Sequence, residues 1–427
     1  MATFTAAFLP LASAAAAGPS YLPPTDGLEW NKIDPGALGW NVAALENLVS
    51  FVRARKSTGL LIVQDGKIVV EQHWPLSPLD ALTRPRFYSL LSHGLTKEGQ
   101  PIEDVASVQK SLVSILVGMA TGKGLIDIEA PVSRYLGKGW SKAGVAEQSI
   151  RVRHLLSMNS GLDTRLRYEH PAGTYWRYNT PAYSRLISVL ESATHQEIGP
   201  LTKEWVFDPI GMRDSRWAVR SGIWAISNYN AMGFQTTPRD LARLGLLVTM
   251  NGKWGGKDIV GNNRWFPLSV RASQELNPAY GFLWWLNEAD KHRSNIKSEP
   301  SLRNGPLIVS APRDLIIAMG HEKRRLYISP SNNLVIVRFG SDPGRGFDSE
   351  FWTWASAALP SSTTKQRTGG SRRYYGRSTF QLYEEPGTDA SAIASRIERE
   401  RLALVGRYAE QETIQRTARE QALRNGK

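Results

Sequence analysis

Val105 to Leu125, VASVQKSLVSILVGMATGKGL, is the stretch that most limits the architecture. A small polar cluster runs straight into an apolar helical pattern. Leu112, Ile115, Leu116 and Met119 recur at helical spacing, and Gly122 and Gly124 supply the stop. A helix this apolar must be buried, so the rest of the chain has to wrap it. Ser107 and Lys110 fall in its first turn, three residues apart and on one face. A serine hydroxyl becomes a strong nucleophile when a base takes its proton, and a lysine amine can do so once burial lowers its pKa. The helix N-terminus adds partial positive charge and uncommitted N–H groups suited to a developing oxyanion.

Ser-x-x-Lys alone does not single out Ser107. Ser294 to Lys297 and Ser362 to Lys365 match it too. The former lies in the polar run KHRSNIKSEPS and the latter in a Ser/Thr/Gly-rich segment. Only Ser107 opens a buried helix, as the chemistry requires.

The chain of 427 residues, 41% hydrophobic, can bury a large core. It contains no cysteine, which excludes disulfides and thiolate metal sites. The histidines show no metal-ligand spacing, and phosphate-loop, HExxH and EF-hand patterns are absent, so no metal and no cofactor is expected. The formal charge is +13, but no Lys/Arg stripe interleaved with aromatics appears, and nucleic acid is not an expected partner. No run is long and apolar enough to span a bilayer. The first residues, MATFTAAFLPLASAAAAGPS, are small and apolar with no charge before Asp26. Residues 1–30 read equally as a signal-like segment or a disordered leader, which leaves export and a cytoplasmic location both open.

Along the chain, Val42 to Arg55 reads as a helix. Gly59 to Gln64 and Lys67 to His73 form a hairpin around Asp65-Gly66. A polar segment leads to residue 104. Beyond the Ser107 helix, Ile150 to Met158, Pro181 to Glu191, Leu201 to Phe207 and Pro238 to Met250 read as helices. Tyr280 to Leu286, Leu315 to Met319, Arg324 to Ile328 and Leu334 to Phe339 read as strands. Strands early and late with helices between predict an α+β fold: one antiparallel sheet built from N- and C-terminal segments, covered by a helical middle. After Pro360 the composition changes. Residues 361–427 carry 13 Lys+Arg against 8 Asp+Glu and read as a basic linker followed by a charged helix from Asp389, with Ile393, Ile397, Leu402 and Val405 as a thin apolar stripe.

These pieces resemble the serine β-lactamase-related hydrolases: class C β-lactamases, D-alanyl-D-alanine carboxypeptidases, esterases and 6-aminohexanoate-dimer hydrolases. SVQKS at 107–111 looks like the family's Ser-x-x-Lys helix start. HLLSMNSGL at 154–162 is similar to its HLLTMTSGL element, and PAGTYWRYNTPAY at 171–183 to its PGxxFxYSNxGY segment. TPRDLARLG at 237–245 and PSNNLVIVR at 330–338 match further stretches. The resemblance covers roughly residues 55–345 and implies a β-lactamase/transpeptidase-like domain over 31–360.

It also implies roles. Ser107 is the nucleophile. Lys110 and Tyr178 handle its proton, a nearby ammonium letting the phenol act as phenolate or shuttle. Asn179 and His321 border the substrate. The backbone N–H of Arg324 pairs with that of Ser107 as oxyanion donors. The sequence departs from the family at two places. Thr180 stands where an asparagine contacts the substrate amide in β-lactamases. Gly320-His321-Glu322-Lys323 stands for the Lys-Thr-Gly or His-x-Gly motif, so Lys323 replaces the glycine that allows close approach. His321 also reads as an ordinary strand-end histidine. The leading expectation is a serine hydrolase acting on a small ester or amide through an acyl-enzyme. A β-lactamase or D,D-peptidase is the first alternative, and a catalytically silent member binding a ligand or partner is the second. Oligomeric state is not legible.

Overall fold

At the Asp65-Gly66 hairpin, Asp65 has φ 49° and Gly66 φ 80°. That pair of left-handed residues is the two-residue turn whose twist suits antiparallel strands. Glycine is required at 66 twice over, because a Cβ there would sit 1.7 Å from the Tyr21 carbonyl oxygen. The computed structural model describes residues 18–27, 29–76, 91–220, 231–294 and 301–360. The linker and helix expected over 361–427 lie outside the described residues, as do most of the leader, Lys297 and the Ser362 to Lys365 match.

Strands run in chain order β1 (Ser57–Gln64), β2 (Lys67–His73), β3 (Ser92–Leu95), β4 (Pro101–Asp104), β5 (Arg216–Val219), β6 (Met232–Thr236), β7 (Lys253–Trp254), β8 (Lys257–Asp258), β9 (Trp285–Leu286), β10 (Lys291–His292), β11 (Arg303–Asn304), β12 (Ile316–Met319), β13 (Arg325–Ser329) and β14 (Leu334–Gly340). The helices used below are α1 (Val42–Ala54), α2 (Gln109–Gly122), α3 (Val152–Leu156), α4 (Thr180–Thr194), α5 (Pro238–Thr249) and α6 (Phe347–Ala358).

The main sheet has the order β2-β1-β14-β13-β12-β9, with every neighbouring pair antiparallel. Ile62 faces Ile336, so the N-terminal hairpin and the C-terminal strands share one sheet, as the sequence predicts. All eight positions of β1 are buried, and so is all of β14. A strand buried on both sides has no need of alternation, which is why β1 reads as a continuous apolar run. The covering helices lie on opposite faces. On α5, a Cβ at Gly245 would meet Val335 at 2.6 Å and Leu326 at 3.0 Å. On α6, Phe351 stacks on Tyr327 with ring centroids 5.4 Å apart. Leu326 and Tyr327 are neighbours on β13 and so point to opposite faces. Alongside α6 lies α1, where Phe51 stacks on Phe347 at 5.7 Å.

The sequence reading of Tyr280 to Leu286 as one strand is corrected to Trp285–Leu286 alone. Leu283 adopts φ 65°, and its N–H bonds to Leu156 and Gly281 carbonyls, so the chain turns where a strand would continue. A second sheet, β3-β4-β6-β5, was not expected. It uses the polar segment before residue 104, and its strands are too short for a periodic signal. No element was assigned by sequence to α6 either.

At the centre lies α2, buried at every position from Gln109 to Ala120. Full burial of each large aliphatic side chain there contributes about 1.5–3 kcal/mol. Helix α4 packs against α2 and α3. Gly118 of α2 presses onto Trp265, where a Cβ would stand 2.4 Å from the ring.

Candidate active site

Ser107 sits in a short 3₁₀ turn, Ala106–Val108, immediately ahead of α2 rather than within the α-helix proper. The residue before it, Ala106, has φ 51°, a left-handed conformation costing an alanine on the order of 1–2 kcal/mol. Such strain persists where surrounding contacts impose it, and it concentrates at functional sites. Here Asp104 Oδ1 accepts the Ala106 N–H at 2.8 Å. The turn leaves Ser107 partly accessible while Val105, Ala106, Val108, Gln109 and Lys110 are all buried. Among the described residues no acceptor takes the Ser107 N–H.

Lys110 Nζ lies 3.0 Å from Ser107 Oγ. The side chain is 1% exposed, and its amine rests over the rings of Tyr183 at 4.5 Å and Tyr178 at 5.0 Å. Among the described residues no carboxylate pairs with it. Burial therefore holds the amine well below the ordinary lysine value, and the Arg220 guanidinium pushes the same way. The amine can thus hold a lone pair directed at the serine proton.

The Tyr178 phenol is close enough to Ser107 for that hydroxyl to favour its ionised form. Burial pushes its phenol up to about 12, offset in part by Ser107 and by Arg325. Both groups are desolvated, and burial disfavours the charged form of each. Tyr178 is fixed by an aromatic wall: Trp285 stacks on it at 5.9 Å, and Tyr280 meets it edge-on at 6.3 Å.

Asn179 and Arg324 are placed differently from the expectation. Asn179 is 2% exposed and caps α4. Its Oδ1 accepts from Ala182 N–H at 3.1 Å, and both Nδ2 hydrogens are used on the carbonyls of Leu162 and Asp163. No donor is left for a substrate, so the expected substrate contact is corrected to a scaffold role. The β12–β13 turn passes close to the Ser107 turn. A Cβ at Gly320 would lie 2.3 Å from the Val105 carbonyl oxygen. Close approach is thus secured by Gly320, one position before His321, and not at the place held by Lys323. Glu322 and Lys323 then both take φ 57°. His321 is about half exposed, with Nε2 3.3 Å from Glu322 Oε1. The Arg324 N–H closes the 3₁₀ turn onto the His321 carbonyl at 3.3 Å, so it is not available as the second oxyanion donor. Its guanidinium goes into the core instead, 2.6 Å from Glu103 with both groups fully buried.

Sequence reasoning missed Asp104, Gln109 and Arg220 around Ser107. The first two stand out as polar residues flanking the motif. Arg220 lies more than a hundred residues away in sequence and carries no local signal. Among the described residues no group of three or more His, Asp or Glu is placed to hold a metal ion.

Comparison with known proteins bears on the family and the fold. The Beta-lactamase family model matches residues 45–357. An uncharacterized protein of Alkalihalophilus pseudofirmus is 25% identical over 317 residues, 67% of this chain and 85% of that one. A protein of Bacteroides dorei assigned as a beta-lactamase superposes with TM-score 0.56 at 17% identity, covering 76% of this chain and 98% of its own. A protein of Bacillus anthracis assigned as a 6-aminohexanoate-dimer hydrolase gives TM-score 0.56 at 15% identity, covering 83% and 90%. With most of its length matched and the expected sheet assembled from both ends of the chain, this protein belongs to the Beta-lactamase family of hydrolases.

Proposed function

We propose that the protein is a serine hydrolase that cleaves a small ester or amide through a covalent acyl-enzyme. Ser107 Oγ attacks the substrate carbonyl carbon as its proton passes to the Lys110 amine. The oxyanion forms against the Ser107 N–H. Tyr178 gives its proton to the departing alkoxide or amine, and the Lys110 ammonium resupplies the phenolate left behind. One proton thus travels from nucleophile to leaving group, and Lys110 and Tyr178 return to their starting states. Water then attacks the Ser107 ester, its proton following the reverse route back to Ser107 Oγ. The wall of Tyr178, Tyr280 and Trp285 suits a substrate with an apolar portion.

The observation that carries this reading is the 3.0 Å contact between Lys110 Nζ and Ser107 Oγ, made by a lysine that is buried without a carboxylate partner among the described residues. The test is labelling with a fluorophosphonate probe followed by peptide mass spectrometry, together with turnover of short-chain nitrophenyl esters and of a chromogenic cephalosporin. Modification of Ser107 with ester turnover is expected. Labelling elsewhere, or none with folded protein, removes the reading. Cephalosporin turnover exceeding ester turnover moves the substrate class to β-lactams.

A further inference from the structure

The nucleophile turn is gripped by an ion pair that the mechanism above does not use. Asp104 ends β4 and Arg220 follows β5. Arg220 Nε donates to Asp104 Oδ2 at 2.7 Å, and a terminal guanidinium nitrogen donates to Oδ1 at 2.8 Å. Both side chains are at least nine-tenths buried, at 1% and 9% exposure. The same guanidinium nitrogen donates to Gln109 Oε1 at 2.7 Å. Gln109 in turn donates to the Tyr183 hydroxyl and to the Met232 carbonyl, both at 3.2 Å. Tyr183 presents its ring to the Lys110 amine.

Room for the pair is built into β6. A Cβ at Gly233 would fall 2.2 Å from Asp104 Oδ2 and 3.0 Å from Arg220 Nε. Gly233 has no positive φ, so the steric demand there comes from the ion pair and not from the backbone.

We propose that Arg220 is a positioning residue for the acyl-transfer reaction: clamped by Asp104, it locks the Ala106 turn that presents Ser107 and, through Gln109 and Tyr183, the ring on which the Lys110 amine rests. The inference rests on the serine-hydrolase reading given under Proposed function. Asp104 Oδ1 accepts from Arg220 and from the Ala106 N–H together, so the left-handed turn and the ion pair stand or fall as one unit. Strained backbone of this kind needs such over-determination.

Arg220 acts on Lys110 through charge as well. The groups facing the amine are Ser107 on its own turn, Tyr178 just before α4, Tyr183 in its first turn, and Arg220 just after β5. Tyr280 stands behind Tyr178, and Arg325 acts on Tyr178. The nearby carboxylate, Asp104, is committed to Arg220 and to the Ala106 N–H. A fixed guanidinium near an uncompensated amine favours the amine's neutral form, the form able to accept the serine proton.

The test compares full-length wild type with Arg220→Met and Arg220→Lys, following the rate of Ser107 labelling by a fluorophosphonate against pH. Arg220→Met is expected to slow labelling by about 10²-fold, the usual effect of misplacing a reacting group by about 1 Å. Its acid limb should move to higher pH, because Lys110 then keeps its proton longer. Arg220→Lys keeps the charge and loses the fork. It should label slowly with its acid limb where the wild type has it. A merely structural role lowers both variants' folded fraction and leaves the limb in place, and that result overturns the proposal. So does wild-type labelling by Arg220→Met. Should Arg220→Met fail to fold, Arg220→Lys decides: a wild-type labelling rate without the bidentate grip overturns the proposal. Absence of Ser107 labelling in wild type removes the hydrolase reading and this inference with it, whereas labelled wild type with unaffected variants removes this inference alone.

Discussion

Trp285 stacks on Tyr178 with ring centroids 5.9 Å apart and planes 22° apart. Tyr280 meets Trp285 edge-on at 4.8 Å, closing the corner. The tyrosine proposed to protonate the leaving group is thus held by packing of its ring. Strand β9, which carries Trp285, is the edge of the main sheet, and so the sheet itself sets where the phenol points.

Trp285→Ala should therefore act on both stability and turnover. Trp285 is 4% exposed, and removing a buried tryptophan costs about 3–5 kcal/mol. Trp285→Phe keeps a stacking ring and should recover most of kcat, whereas Trp285→Leu, similarly apolar, should not. Chemical denaturation and ester kinetics on the three variants separate the contributions. Equal kcat for the Phe and Leu variants at matched folded fraction rejects stacking as the relevant contact.

Gly320→Ala tests how closely the β12–β13 turn approaches the nucleophile. The new Cβ would lie 2.3 Å from the Val105 carbonyl oxygen, a backbone atom that cannot rotate away. The turn or the nucleophile segment must shift, and a displacement near 1 Å can cost about 10²-fold in rate. The expected result is a folded protein with kcat reduced by that order and a modest drop in Tm. Unchanged kcat shows that the turn takes no part in holding the site.

Asp348 ties α6 to β13. It accepts from Arg325 at 2.8 and 3.0 Å, from Lys323 at 3.0 Å and from the Tyr327 hydroxyl at 2.5 Å. Burial raises its carboxyl, but Arg325 and the other donors overcome that and hold it well below the usual carboxylate range. Asp348→Asn leaves the buried Arg325 without an anion, and breaking such a pair costs about 3–5 kcal/mol. The folded pKa is depressed, so this stability is present above the unfolded carboxylate value and is lost as pH falls toward the folded one. Urea unfolding should show the gap between wild type and variant narrowing in acid. A gap independent of pH in that direction assigns the loss to packing instead of charge.

Much of this was legible in the residues. Ser107 and Lys110 lie three apart in one motif, so a local pattern carries their geometry. The Asp65-Gly66 hairpin and the late β-branched strands declare the main sheet for the same reason. Asn179 was misread although the signal was there: an Asn followed by Thr180-Pro181 is a helix start, and its side chain is consumed by that start. Arg324 was misread because the choice between a strand and a 3₁₀ turn at 321–323 hangs on two non-glycine residues accepting positive φ. Arg220 was not legible at all. Its function depends on the pairing of β5 with β6 and of β6 with β4, and no local pattern encodes that meeting.

The last prediction concerns the thermodynamic cost of the proposed base. Lys110 is buried with its pKa held well below the ordinary lysine value, first by desolvation and then by Arg220. The unfolded chain, with a lysine value near 10.4, therefore holds its proton to higher pH than the folded chain does. Stability follows the difference in bound protons, so this group makes the protein more stable as pH rises from the folded pKa toward the unfolded one. Lys110→Met, of similar shape and without the amine, should abolish hydrolysis and yet raise stability. Its advantage over wild type should be largest below the folded pKa, and should shrink toward zero as pH approaches about 10.4. Denaturant unfolding of both proteins at a series of pH values measures that difference directly. A variant less stable than wild type at neutral pH shows that the amine is compensated in the fold, and the neutral-base reading of Lys110 then fails.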